Sequence, residues 1–200
     1  HRSRGGPRIV RGFTEINMVA DKEYVERVKD YGWSDVAALW DDVLDCRTPE
    51  WDSGKALEYV VLKGFELSGA TVRWPYAVTL LESTHVEQID GMVYVAGIAA
   101  MVECKDFATS SNRSRLSVGH DPIAKLQGRL TRRPSTLVGC LFTSGRYSEA
   151  AILMSHFTKP ATILCWNGDD IAQCVSRRDF AGALTHKYRA CLEEGDHHAG

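Results

Sequence analysis

Near residue 70 the hydrophobic period of the chain changes, and this change limits the possible folds more than any other feature. Before it, apolar residues recur at helical spacing; after it, they alternate or run together as strands do. Tyr24, Val25, Val28 and Tyr31 predict a helix over Ala20 to Tyr31. Ser34 reads as the N-cap of a second helix, Asp35 to Leu44, with Val36, Leu39, Trp40, Val43 and Leu44 on one face. Ser53 reads as the cap of a third, Gly54 to Ser68, striped by Leu57, Val60, Val61, Leu62, Phe65 and Leu67 and ended by Gly69.

Beyond the switch, Thr71 to Leu81, Val86 to Val95 and Ile98 to Val102 read as three successive strands, with Gly97 in a tight turn between the last two. Asp106 to Gly119 is polar and reads as a flexible loop. Asp121-Pro122 opens a helix to about Leu130, since proline is favoured at a first helical position. Then come a strongly apolar strand, Leu137 to Thr143, a helix from Ser148 to Phe157, a strand from Ala161 to Trp166, and helices over Asp169 to Val175 and Asp179 to Glu193. Meandering strands followed by crossovers imply an α/β fold, a mixed sheet flanked by helices. Residues 1–50 are expected to form a tail and an N-terminal helical extension, and 51–195 the main domain.

Composition narrows the function. Of 200 residues, 44% are hydrophobic and 25% charged, so a core of ordinary size is available. The formal net charge of -2 leaves nucleic-acid binding to local basic patches. The six cysteines include no CxxC pair, which argues against a structural zinc site. Cys104, Cys140 and Cys165 lie in apolar runs, as buried thiols of a reducing, cytoplasmic compartment do. No apolar stretch approaches the ~20 residues of a membrane span, and the basic, Gly-rich start reads as a tail without signal-peptide features.

The chemistry-bearing cluster sits in the strands. A hairpin brings Asp90 close to Glu103, and period-two alternation places Glu103 and Lys105 on one face with Cys104 on the other. Two converging carboxylates are costly unless paired or holding a cation, and suit a hard divalent ion such as Mg²⁺. Such an ion polarises a phosphodiester, with Lys105 orienting or helping to deprotonate a water. Glu58, on the preceding helix, is in reach as a further ligand. The same residues also fit a plain surface ion pair on a hairpin.

Asp90, twelve residues, Glu103, one residue and Lys105, after a helix carrying Glu58, resembles the PD-(D/E)xK nuclease superfamily. The segment Leu137 to Ala151, with its Ser144-Gly145 turn, is similar to the strand-to-helix element of the restriction-endonuclease branch related to Mrr. The resemblance spans about Ser53 to Val175. It departs at residue 89, an isoleucine where the naming motif has proline.

The resemblance implies a restriction-endonuclease-like domain in which Asp90, Glu103 and the Cys104 carbonyl bind Mg²⁺ (Mn²⁺ substituting), Lys105 is the catalytic lysine, and Glu58 matches the helix glutamate. Gln127 stands where some members place a supporting polar residue. The implied activity is hydrolysis of DNA in restriction or anti-phage defence, by a homodimer or a subunit of a defence complex, away from membranes. The alternative is a catalytically silent or partner-gated nucleic-acid-binding subunit. Arg129, Arg132 and Arg133 read either as phosphate contacts, joined by Gln127, or as a solvated helix end. Arg113 and Arg115 lie in the polar loop. Ser144-Gly145 reads as a phosphate-cradling turn or as ordinary turn chemistry before a cap.

Overall fold

The computed structural model describes residues 22–74, 76–80, 85–106 and 117–198. Arg113, Arg115 and the N-terminal tail fall outside the described residues.

The helices of the first third are α1 (22–28), α2 (Trp33–Leu44) and α3 (Lys55–Leu67). Their starts differ from the expected caps. Helix α2 begins after Gly32, whose N–H is taken by the Asp35 carboxylate at 2.8 Å, and α3 begins after Gly54, in the left-handed region at φ 84°. Ser34 thus lies inside α2, and Asp35 gives the N-cap N–H its acceptor.

Among the described residues, nine strands follow or alternate with the remaining helices: β1 (Thr71–Arg73), β2 (Tyr76–Leu80), β3 (His85–Ile89), β4 (Gly91–Val95), β5 (Ile98–Lys105), β6 (Ser117–Val118), α4 (Asp121–Leu130), β7 (Leu137–Thr143), β8 (Arg146–Tyr147), α5 (Glu149–His156), β9 (Thr162–Trp166), α6 (Gly168–Arg177) and α7 (Phe180–Glu194). The central sheet has five strands in the order β1-β4-β5-β7-β9. Pairs β1–β4 and β4–β5 are antiparallel; β5–β7 and β7–β9 are parallel. The expected mixed sheet flanked by helices is therefore present. Two small ladders, β2–β3 and β6–β8, stand beside it.

The first two expected strands of the meander are each divided, and the third is a single strand, β5. Thr71 to Leu81 holds β1 and β2, and Val86 to Val95 holds β3 and β4. Both ladders share one register, Arg73 facing Met92 and Tyr76 facing Ile89, so they form one hairpin interrupted on one arm between Arg73 and Tyr76 and on the other at Asp90.

All seven residues of β7 are buried, as a strand covered on both faces must be. One face of the sheet packs Val102, Cys140, Phe142, Leu164 and Trp166 against α2, α3, α6 and α7. The other packs Met101, Leu141, Ile163 and Cys165 against α4 and α5. Val36, Leu39, Trp40 and Val43 place α2 within the first of these cores. Among the described residues no helix is long and apolar enough to cross a membrane.

Candidate active site

The site forms where β3 gives way to β4. The β4–β5 turn carries Ala96 at φ 49° and Gly97 at φ 81°, two successive left-handed residues, as a tight two-residue hairpin of the right twist requires. That turn sets the register, with Val95 facing Ile98 and Gly91 facing Val102. One step further along the same register lies Asp90 beside Glu103. Asp90 occupies the bend between the two strands, where no ladder claims its backbone. Its carboxylate instead accepts the Cys104 N–H at 2.7 Å.

Close packing fixes this bend from the helix side. A Cβ on Gly91 would lie 2.4 Å from a methyl of Leu62, so only glycine lets β4 approach α3 this closely. Alternation along β5 sends Val102 and Cys104 into the core beneath α3 and turns Glu103 and Lys105 to the α4 side. Lys105 Nζ lies 2.6 Å from Glu103 Oε1, and Arg129 reaches Glu103 Oε2 from α4. Glu103 is 7% exposed and the Lys105 side chain 40%, so the carboxylate is buried beneath the ammonium. On the α3 side, Lys55 pairs with Glu58 at 2.7 Å, both side chains largely buried.

Burial, and next the Glu103 charge, push the Asp90 carboxyl up to about 6; the Cys104 N–H, Lys105 and Lys55 pull against them. Burial opposes the charge on Lys105, but the Glu103 carboxylate outweighs it, with Asp90 adding to it, and raises the ammonium above its ordinary value. Burial raises the Cys104 thiol well above its usual range, with Asp90 and Glu58 adding to it. Lys55 and Glu58 are thus felt electrostatically at the strand residues they face.

The Asp90 and Glu103 carboxylates, beside the peptide of Cys104, make an all-oxygen donor set for a hard cation. Asp90, Glu103 and the Cys104 carbonyl fit a Mg²⁺ or Mn²⁺ ion by that chemistry. Among the described residues no group of three or more His, Cys, Asp or Glu side chains is arranged to hold a metal. Any ion here therefore relies on backbone and water for its remaining ligands.

The other expected residues divide. Arg129 enters the cluster through Glu103. The Gln127 amide donates to the Thr158 carbonyl at 2.9 Å, tying α4 to the segment before β9. Arg132 and Arg133 lie just beyond the end of α4. Ser148 caps α5 by accepting the Ala151 N–H at 3.2 Å, and the Gly145 carbonyl of the Ser-Gly turn accepts the Gly168 N–H at 3.0 Å. Lys55 escaped the sequence reading, although its spacing of three from Glu58 in a first helical turn is a signal for such a pair.

No protein-family model matches the chain. No curated protein matches it either. Similar solved structures include that of a protein of unknown function, AF1548, at 16% identity and TM-score 0.44, over 55% of this chain and 56% of that one. The MspJI restriction endonuclease in complex with a 27-mer oligonucleotide is 17% identical with TM-score 0.44, over 79% of this chain and 35% of that one. The DNA modification-dependent restriction endonuclease AspBHI is 15% identical with TM-score 0.43, over 78% of this chain and 39% of that one. The chain thus spans 56%, 35% and 39% of their lengths, and likeness of this degree transfers no activity.

Proposed function

We propose that this chain is a divalent-metal-dependent endonuclease that hydrolyses phosphodiester bonds in DNA. Asp90, Glu103 and the Cys104 carbonyl would hold Mg²⁺ or Mn²⁺, with Glu58 completing the acidic wall and Lys105 as the catalytic lysine. One observation carries the reading: Asp90 accepts the Cys104 N–H one register step beyond the Gly91–Val102 pair, beside Glu103, whose carboxylate holds the Lys105 ammonium.

A bound ion supplies Lewis acidity toward the phosphodiester and its attacking water. The protein's own part is positional and electrostatic. The Cys104 N–H orients Asp90, and Glu103 holds Lys105. Lys105 is kept protonated, so it acts as a cation that orients water and offsets charge developing on the phosphate, not as a base. Arg129, Arg132 and Arg133 supply the local basic patch for the nucleic-acid backbone. The resemblance in sequence extends the proposal to restriction or anti-phage defence in the cytoplasm, as a homodimer or a subunit of a defence complex.

The test is cleavage of supercoiled plasmid, single-stranded DNA and RNA by the purified chain in Mg²⁺ or Mn²⁺. Wild type is expected to nick or linearise DNA, and Asp90→Ala and Lys105→Ala to lose roughly 100-fold or more of that rate. Failure of wild type on every substrate sinks the reading. A partner-gated subunit is the second reading, favoured because both Glu103 oxygens are held by cations. It predicts cutting only after a partner is added.

A further inference from the structure

The charges around Glu103 belong to different elements, and that determines which of them is able to leave. Among the described contacts, the Glu103 carboxylate holds two cations, Lys105 on one oxygen and Arg129 on the other. A divalent cation binding the same carboxylate is repelled by both, and that repulsion is relieved if one resident cation departs. Lys105 is bound to stay near, two residues from Glu103 on the same strand. Arg129 arrives from a separate helix, on a long side chain that is 24% exposed, and takes the other carboxylate oxygen. Its helix does not need to move with it, because Gln127 holds α4 to the Thr158 carbonyl.

We propose that Arg129 is a positioning residue that occupies Glu103 in the metal-free protein and is exchanged for the divalent ion when the site is loaded. Arg129 keeps Glu103 buried and oriented without metal, and sets the ion concentration at which the site fills. Its guanidinium and the ion compete for the same carboxylate, so the two bindings are reciprocally linked. The inference rests on the metal-site reading of Asp90 and Glu103, and adds a competitor to it.

Calorimetric titration of the full chain with Mn²⁺, without nucleic acid, tests it. Arg129→Gln, which removes the charge and keeps a polar side chain, is expected to bind Mn²⁺ roughly tenfold more tightly than wild type. Arg129→Lys keeps the charge without the planar fork and is expected to fall between the two. Mn²⁺ binding that Asp90→Asn abolishes but Arg129→Gln leaves equal or weaker overturns the proposal and spares the metal site. Wild type with no Mn²⁺ binding that depends on Asp90 overturns both. If Arg129→Gln does not fold, as judged by its melting curve, Arg129→Lys decides, and an affinity no tighter than wild type overturns the proposal.

Discussion

At the residue scale, Asp90 works against the fold that holds it. Its carboxyl is raised to about 6, chiefly by burial and then by Glu103, so ionisation at neutral pH costs stability in the metal-free protein. The sign follows from proton linkage: a carboxyl raised above its unfolded value near 3.8 binds more protons folded than unfolded between the two values. Stability is therefore lost as pH rises through that window. Asp90→Asn keeps an oxygen for the Cys104 N–H and removes the charge. In chelator at about pH 7.5 it is expected to melt roughly 2–4 °C above wild type, corresponding to about 1 kcal/mol. Scanning calorimetry should show that gain fade as pH falls toward 4, and an unchanged melting temperature at neutral pH would refute the account. The same variant is expected to be dead as a nuclease, as when a destabilising charge is retained for function.

At the element scale, the site depends on where the β3–β4 arm stops pairing and on how α4 is pinned. Gly91 permits the close approach of β4 to Leu62, which is 1% exposed and has little room to move. Gly91→Ala is expected to cost about 1–3 kcal/mol in a urea unfolding experiment, through overpacking against α3. It should also weaken cleavage, because the displaced strand carries Asp90 one residue away. The hydrogen bond from Gln127 to Thr158 gives a different expectation for α4. Gln127→Ala removes a partner from a carbonyl whose residue is fully buried, and should cost about 1–2 kcal/mol with DNA affinity at fixed salt unchanged. A loss of affinity without a loss of stability would instead assign Gln127 to the nucleic-acid interface.

At the scale of the whole molecule, residues distant in sequence close the edge of the sheet beyond β9. Cys165 N–H donates to the His197 carbonyl at 3.0 Å, and the His197 ring contacts the Ile163 carbonyl at 2.8 Å. The rings of His156 and His197 lie 4.9 Å apart, and His198 meets the Ser155 hydroxyl at 3.2 Å. Burial, and next the Lys187 charge, push His198 down to about 4. An imidazole lowered below its unfolded value near 6.5 binds fewer protons folded than unfolded, so its contribution is lost as pH falls from that value toward 4. Wild type should therefore lose its advantage over His198→Gln as pH is lowered from about 7.5 to 5. Parallel melting curves for the two proteins across that range would contradict this account of His198. Lys187, buried beneath Trp166 and bonded to the Cys165 carbonyl and Asp170, joins the same edge to α6 and α7.

By itself the sequence determined the periodic features: helices before residue 70, strands and then crossover helices after it, a fully apolar β7 and the alternation of Glu103 and Lys105 about Cys104. These are local consequences of where apolar side chains fall along one element, and no distant residue is needed to read them. It also carries a breaker, Pro75, which has no N–H to give a ladder and lies inside the run Thr71 to Leu81. Only the tertiary structure decided that Asp90 sits at a bend and takes the Cys104 N–H, and that Arg129 shares Glu103 with Lys105. It alone also decided that Gln127 faces Thr158. The Arg129 and Gln127 contacts depend on long side chains crossing between elements. Those crossings are set by how closely helices pack on the sheet, as Gly91 against Leu62 illustrates, and that closeness has no period in the sequence.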